Sequence, residues 1–489
     1  MSQANQQDIE AWLWEAANIL RGPVDPANLR DFVFPLLFLK RLSDTWDEEQ
    51  ASAIKTFGID IDRETAADFH AFQIPEGCHW SDLRRAAENH GVLIQNIMQK
   101  IEEANPTRLS QIFGNAPWAD HNKMPPERLE KLVSHFSQRD LSPSKVSNDL
   151  LGGGYEYLLK RFSDESSTSA GQFFTPRAVV HLLVRILGPQ PTDSIYDPAC
   201  GSGSLLLQYA KVLGKDNVRE GFYGQEINLT TYNLCRINMF LHDINYEKFD
   251  IAHGDTLTDP HHWNDEPFEA IVSNPPYSIN WAGDSDPLLI NDDRFAPAGV
   301  LAPKSKADLA FTLHMLHWLA VNGTAAIVEF PGVMYRGGAE QKIRKYLVDN
   351  NYVDAVIQLP QDLFFGTSIA TCILVLKKSK SDNKVLFINA EKNFVREGNK
   401  NKFTKLNREL VYDAYVARKD VDYFARLVDH AEIQAKDYGL SVTTYVTAED
   451  SREDIDIVTL NREIAEIVQR QSSLRKLVDE TVIKIEATH

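Results

Sequence analysis

Residues 271–278 read IVSNPPYS. Two apolar residues with the texture of a buried strand run into Asn274, Pro275, Pro276 and Tyr277. Proline donates no backbone hydrogen bond and drives the residue before it out of helical geometry. The strand therefore ends here, and no helix starts before Pro275. What is left is a rigid corner that holds an amide side chain and an aromatic ring at a strand end. A second stretch, DPACGSGSLLL (197–207), places the small residues Ala199, Gly201, Ser202 and Gly203 behind an acid, Asp197. Small residues let the backbone turn tightly and approach a ligand, and the next helix then starts at the ligand's edge. NAD enzymes use such a turn too, but here the acid precedes the glycines and G-x-G-x-x-G is absent, which points away from a dinucleotide. Glu226, in GFYGQEIN, follows Asp197 by 29 residues, and Asp255 lies in AHGDTL; both fall at the tips of strand-like runs. A carboxylate only accepts hydrogen bonds and can take two hydroxyls at once, as a ribose presents them. One acid at a strand tip is ordinarily a surface charge. Three at consecutive strand ends on one sheet edge argue for a nucleoside site.

The elements that must place these residues show in the hydrophobic period. From about residue 166 the runs DSIYDP, GFYGQE, FDIAHGD, EAIVSNPP, GTAAIVEF, VDAVIQLP and TCILVLKK alternate with helical patterns such as VVHLLVRIL, NLCRINMFL and AFTLHMLHWLA. Strands separated by helices predict a mostly parallel α/β sheet with right-handed crossovers. The last pair, around 352–376, lacks an intervening helix and is expected to be antiparallel. GQFFTPRAVV (171–180) predicts a helix start with Thr175 as N-cap and Pro176 at the first position. Phe173 and Phe174 before it read as core packing or as a wall against a ligand. Residues 1–165 read as helical, with apolar spacing of three and four at 9–20, 32–46 and 82–104, and Pro35 near the start of the second. GGGYEY (152–157) predicts a helix break or flexible connection. Beyond about 450, Leu460, Ile464, Ile467, Gln471, Leu474, Val478, Thr481 and Ile485 follow heptad spacing and predict one long helix. Its seam packs on its own domain or is offered to a partner.

Bulk properties narrow the class. A chain of 489 residues predicts two to four domains. Hydrophobic residues at 43% and charged residues at 25% are ordinary for a soluble globular protein. No run of 18 or more apolar residues and no basic-then-apolar leader is seen, so the expected location is the cytoplasm, with no membrane span. Cys78, Cys200, Cys235 and Cys372 form no C-x-x-C pair and predict reduced thiols rather than zinc or disulfides. A net charge of -18 makes the chain a poor generic nucleic-acid binder, because affinity for phosphates comes largely from Lys and Arg. One local exception is 377–408, with ten Lys/Arg against three Asp/Glu. That run reads equally as a solvated loop face.

In this order the pieces resemble the S-adenosylmethionine-dependent amino-methyltransferases of DNA, with the binding motif before the catalytic one as in the gamma ordering of many adenine-N6 enzymes. The resemblance implies an α/β, Rossmann-like methyltransferase sheet. It also implies that Asp197 to Gly203, with Ser204, cradle the methionine end of the cofactor, that Glu226 holds the ribose, and that Asp255 faces the adenine amino group. Gln172, Phe173, Phe174, Thr175, Pro176 and Arg177 would help close the pocket. Asn274, Pro275, Pro276 and Tyr277 would be the catalytic motif. The chemistry then explains the corner. An exocyclic amino nitrogen is a poor nucleophile because its lone pair is delocalised into the ring. If the Asn274 side-chain oxygen and the Pro275 carbonyl each accept one N–H, a pyramidal nitrogen is favoured and its lone pair points at the methyl group. Such acceptors must be fixed in advance, and two prolines remove backbone freedom there. Tyr277 would stack on a target base flipped out of the duplex. No strong general base is required, since the proton can leave after transfer.

The four letters alone do not define the acceptor, because glutamine-N5 protein methyltransferases and some RNA enzymes carry them too. The flanks extend the resemblance over about residues 10–450, to the modification subunit of type I restriction-modification systems. FVFPLLFLKRLSD (32–44), GGGYEYLLKRF, GQFFTPR, FPGVMYRGGAEQKIRKYLV (330–348) and LPQDLFFGTSIATCILVLKK (359–378) carry it. It implies a helical domain over 1–165, a methyltransferase domain over 166–450 and a C-terminal helical tail over 451–489 for subunit assembly. The implied partners are double-stranded DNA, a separate specificity subunit that binds two modification subunits, and a restriction subunit. An acidic chain that borrows its DNA contacts fits that scheme, and 377–408 is expected to line the DNA channel. Two rivals remain: a protein-glutamine or RNA methyltransferase using the same corner, and an assembly subunit that binds cofactor without catalysis, against which the intact NPPY weighs.

Overall fold

Most of the apolar runs become strands buried on both faces, supplying side chains alternately to two cores, whereas FDIAHGD becomes an edge strand in which only Ile251 is buried. The structure is a computed structural model and describes residues 5–22, 24–25, 28–58, 65, 68–165, 175–262, 267–364, 369–398, 400–447 and 457–487. Its strands are β1 (Ile195–Asp197), β2 (Phe222–Glu226), β3 (Phe249–His253), β4 (Phe268–Ser273), β5 (Leu319–Glu329), β6 (Val353–Gln358), β7 (Cys372–Lys377), β8 (Lys384–Asn389), β9 (Val395–Glu397), β10 (Lys400–Lys402) and β11 (Ala425–Asp429). Nine of them form one sheet in the order β11-β8-β6-β7-β5-β4-β1-β2-β3, and β9 and β10 pair separately as a hairpin. Ile195, Ala270, Val272, Ala326 and Val328 enter one core, while Tyr196, Ile271, Ala325 and Ile327 enter the other. The first core is covered by helices Arg177–Leu187 and Ser204–Leu213, the second by helix Asp308–Trp318.

Strand polarity decides where the strand tips go. β4, β1, β2 and β3 are parallel neighbours, so their carboxyl ends share one edge. β7 runs antiparallel to both β5 and β6, as the missing helix predicted.

The helices before residue 165 form a third core, to which Leu234, Ile237 and Leu241 of helix Leu229–Leu241 also contribute. Cys235 and Met239 on the other side of that helix face the sheet core, and residues 1–446 make one compact unit. Two sequence expectations fail here for steric reasons. The glycine run does not break a helix; Asn148–Glu165 is continuous. A Cβ at Gly152, Gly153 or Gly154 would come within 2.5 Å of His242, 2.8 Å of Gln6 or 2.7 Å of Leu13, so the glycines serve close helix approach. The stretch 82–104 is not one helix either. It divides into Trp80–Arg85 and His90–Ala104 around Asn89, whose φ of 60° ends helical geometry. Pro35 lies within helix Leu29–Phe57, further in than expected because that helix begins earlier.

Residues 447–489 form a second unit, in which Ile457–Glu486 is a single 30-residue helix. Its heptad residues Leu460, Ile464, Ile467, Leu474, Val478 and Ile485 are exposed. No helix among the described residues is long and apolar enough to cross a membrane.

Candidate active site

A cavity of about 340 Å³ opens at the carboxyl edge of β4, β1, β2 and β3. Thr175, Asp197, Ala199, Gly201, Ser204, Glu226, Asp255, Asn274 and Pro276 all line it. Residues distant in the chain meet there because their strands are neighbours.

Asp197 closes the end of β1 and is 1% exposed. Its Oδ1 accepts hydrogen bonds from the Ser273 hydroxyl (2.8 Å) and the Ala199 N–H (3.1 Å), while its Oδ2 is buried without a partner. Burial pushes this carboxyl up to about 7, against the lowering effect of those two bonds. Glu226, at the end of β2, accepts from the Gly201 N–H (3.1 Å) and the Asn228 N–H (2.8 Å). Burial raises its pKa as well. The Glu226 bond ties the glycine-rich turn to the neighbouring strand tip. Asp255 accepts from the Leu257 N–H (3.0 Å), a local turn that fixes its carboxylate after β3.

The corner after β4 is held from three sides. The Asn274 Nδ2 donates to the Thr175 hydroxyl (3.0 Å), and its Oδ1 accepts from the Tyr277 hydroxyl (2.6 Å). An amide oxygen has two lone pairs, so one stays open to a ligand N–H. Burial keeps the Tyr277 phenol protonated and therefore a donor. Its ring lies edge-on to Phe364, with centroids 6.4 Å apart. Ser278 takes a left-handed φ of 50°, and its N–H donates to the buried Asp308 carboxylate (3.0 Å).

The family model for N-6 DNA methylase matches residues 146–454, and that for the HsdM N-terminal domain matches residues 9–136. The type I restriction enzyme MpnII methylase subunit of Mycoplasma pneumoniae is 40% identical, over 97% of this chain and 95% of that protein. The chain belongs to the N-6 DNA methylases, as a type I restriction enzyme methylase subunit. The MjaVII methylase subunit of Methanocaldococcus jannaschii is 30% identical, over 83% of this chain and 71% of that protein. The crystal structure of a type I restriction-modification methyltransferase subunit from Streptococcus thermophilus superposes with a TM-score of 0.81 at 30% identity, covering 91% of this chain and all of that one.

For this methylase subunit the structure redistributes several expected site residues. Thr175 is not the helix cap: the helix starts at Arg177 with Pro176 as N-cap, and the Thr175 hydroxyl holds Asn274 instead. Arg177 pairs with Glu156 (2.8 Å) and lines a neighbouring hollow rather than the cavity. Ser202 faces that hollow too, its carbonyl accepting from Asn238 (2.9 Å). Gly203 does not line the cavity; its φ of 80° starts the helix, and a Cβ there would meet the Cys235 sulfur at 2.8 Å. Pro275 and Tyr277 are not among the residues that line the cavity. Gln172, Phe173 and Phe174 lie outside the described residues. Ile227, Leu257, Ile279, Trp281 and Phe311 line the cavity without having been singled out. Ile227 and Leu257 had a signal, being neighbours of strand-tip acids. Trp281 and Phe311 had none, since only folding brings them there.

Thr175→Val removes the acceptor for Asn274 but keeps the shape. The expected result is a kcat about tenfold lower, from losing roughly one net hydrogen bond, with Thr175→Ser restoring it. A wild-type rate for the valine variant would remove Thr175 from the positioning of Asn274.

Proposed function

We propose that this subunit methylates adenine N6 in double-stranded DNA with S-adenosylmethionine held in the cavity at the sheet edge. The observation that carries the reading is the unpartnered, buried Asp197 Oδ2 on the same cavity wall as the Asn274 amide. A buried carboxylate oxygen without a donor is costly unless a ligand supplies one, and the ammonium of a methionine group is such a ligand. Glu226 has free lone pairs for a ribose diol, and Asp255 can accept from an adenine amino group. Ile227, Leu257 and Phe311 offer apolar surface to a purine ring. The residues present therefore fit the cofactor.

S-adenosylmethionine, when bound, supplies an electrophilic methyl group on sulfur. The chain's part is to prepare the nitrogen. Asn274 Oδ1 and the Pro275 carbonyl take the two amino hydrogens of the target adenine and turn its lone pair out of the ring plane. Tyr277 holds the Asn274 oxygen in place through its hydroxyl, and Asp308 holds the following residue. Tyr277 reaches the flipped base with the exposed part of its ring. The proton leaves to water after transfer.

The wider assignment follows the family. DNA sequence is read by a separate specificity subunit that binds two copies of this chain, and a restriction subunit joins them in the cytoplasm. Residues 1–165 form the helical domain, 166–450 the methyltransferase domain and 451–489 the assembly helix. The exposed apolar heptad of Ile457–Glu486 supports the last role. Incubating the assembled complex with tritiated methyl donor and separate DNA, RNA and protein acceptors tests the reading. Label is expected in DNA alone, released on digestion as N6-methyladenine; label in glutamine or RNA overturns it.

A further inference from the structure

The basic run 377–408 was expected to act as one surface, and the sheet divides it. Cys372 pairs with Glu329 and Lys377 with Thr324, so β7 starts at the carboxyl edge and ends at the opposite one. Lys378 there donates to the carbonyls of His317 (3.2 Å), in the last turn of the helix before β5, and Leu319 (2.5 Å), and Lys380 to that of Val353 (2.7 Å); Leu319 and Val353 open β5 and β6. Lys384 opens β8 at that same far edge, since β8 runs parallel to β6. The first four cations of the run therefore sit away from the cavity. β8 then carries the chain back, and Asn389 emerges beside Gln358 at the carboxyl edge.

Beyond Asn389 the chain forms the β9–β10 hairpin, docked against the loop behind the catalytic corner. The Asn401 Nδ2 donates to the Gln361 carbonyl (2.8 Å), and the Lys400 ammonium to the Phe364 carbonyl (3.2 Å). Phe364 is the residue whose ring packs on Tyr277. Phe403, 3% exposed, anchors the hairpin's far end in the sheet core. Around this scaffold Lys392, Arg396, Lys400 and Lys402 stand against Glu391 and Glu397. Arg396 pairs with Asp362 (3.2 Å) and Lys402 with Glu397 (3.1 Å), with both cation side chains more than half exposed (51% and 58%). Ion pairs this exposed are weak and easily exchanged. Phosphate oxygens accept charge-assisted hydrogen bonds from a guanidinium or ammonium just as those carboxylates do, so a DNA backbone can take over such partners.

We propose that Lys392 and the hairpin Val395–Lys402 grip the DNA backbone beside the target adenine. This rests on the DNA-adenine reading above. It gives an acidic chain a cationic contact at the reacting edge, one residue removed from the Tyr277 ring. Through Phe364, a hairpin drawn onto phosphates braces the corner that receives the base.

The test uses the full chain assembled with its specificity subunit, and duplex DNA carrying the cognate site. In the variant Lys392→Gln/Arg396→Gln/Lys402→Gln, the slope of log K against log salt should fall by about 2 to 3, at about 0.9 per lost phosphate contact. Affinity for S-adenosylmethionine should stay unchanged. The far-edge variant Lys377→Gln/Lys378→Gln/Lys384→Gln, which removes the same charge, should keep the wild-type slope. Lys392→Gln alone, outside the hairpin's hydrogen bonds, should lower the slope by about 1. An unchanged slope in the hairpin variants, or equal losses in the hairpin and far-edge variants, overturns the proposal. So does a hairpin variant that only weakens assembly with the specificity subunit, which would make the hairpin a protein contact. A wild-type complex that fails to methylate DNA sinks the functional reading instead, so the two failures are distinct.

Discussion

Asn274→Ala abolishes methyl transfer and leaves cofactor affinity within about threefold of wild type. The reason lies in which state the side chain stabilises. Adenine in its ground state has a planar amino group, and the Asn274 oxygen gains little from it. As the nitrogen becomes pyramidal its hydrogens become better donors, and a fixed acceptor gains most at that point. Removing one preorganised group of this kind typically costs a factor of about 10² to 10³ in kcat. Here the loss extends further, because the Tyr277 hydroxyl and the Thr175 hydroxyl both lose the partner they now hold at 2.6 and 3.0 Å. Asn274→Asp discriminates further. Its carboxylate still accepts, but it can no longer donate to Thr175, so partial activity is expected. Single-turnover rates with saturating methyl donor, beside calorimetric titration of the cofactor, check both. Wild-type turnover in the alanine variant would end the catalytic assignment of the corner.

Affinity for S-adenosylmethionine rises as pH increases through neutrality, and Asp197 is the cause. Burial holds its carboxyl near about 7, so the free protein keeps it largely neutral below that point. A cationic ligand group needs the carboxylate. Below pH 7 binding must first expel the proton, which weakens affinity by up to about tenfold per pH unit. Between about pH 6 and pH 8 the expected gain is about tenfold, since the ionised fraction changes by that factor. The free protein shows the opposite trend in stability. A folded-state pKa raised above the ordinary 3.8 makes stability fall as pH rises from about 4 to about 7. Asp197→Asn carries no titrating proton at this site, so it binds weakly at every pH and its profile is flat. Calorimetry across the pH range decides the matter. A pH-independent wild type, or an asparagine variant that keeps the rise, would remove Asp197 from cofactor binding.

The sequence by itself was enough for much of this protein, where the information is local. Hydrophobic alternation gives strands, and a strand that lacks a following helix must pair antiparallel, as β7 does. Proline and glycine constrain the backbone wherever they stand, so the corner at Asn274 and the turn at Gly201 were legible from residue type. The acids at positions 197, 226 and 255 were legible as strand tips, and the sheet order brings those tips together. The C-terminal heptad was likewise visible as a helix.

Only the tertiary structure decided what depends on distant partners. Thr175 looked like a cap by its neighbour Pro176, yet its hydroxyl meets Asn274, 99 residues away. Gly152 to Gly154 looked like a break, because isolated glycine weakens a helix by about 1 kcal/mol. Packing against Gln6, Leu13 and His242 requires the missing side chains and keeps the helix whole. The basic run 377–408 looked like one surface because charge was summed along the chain. Antiparallel β7 and parallel β8 send its two halves to opposite edges of the sheet. Local backbone preference is written in residue type, whereas the direction of a side chain's contacts is set by strand polarity and by which surfaces must approach.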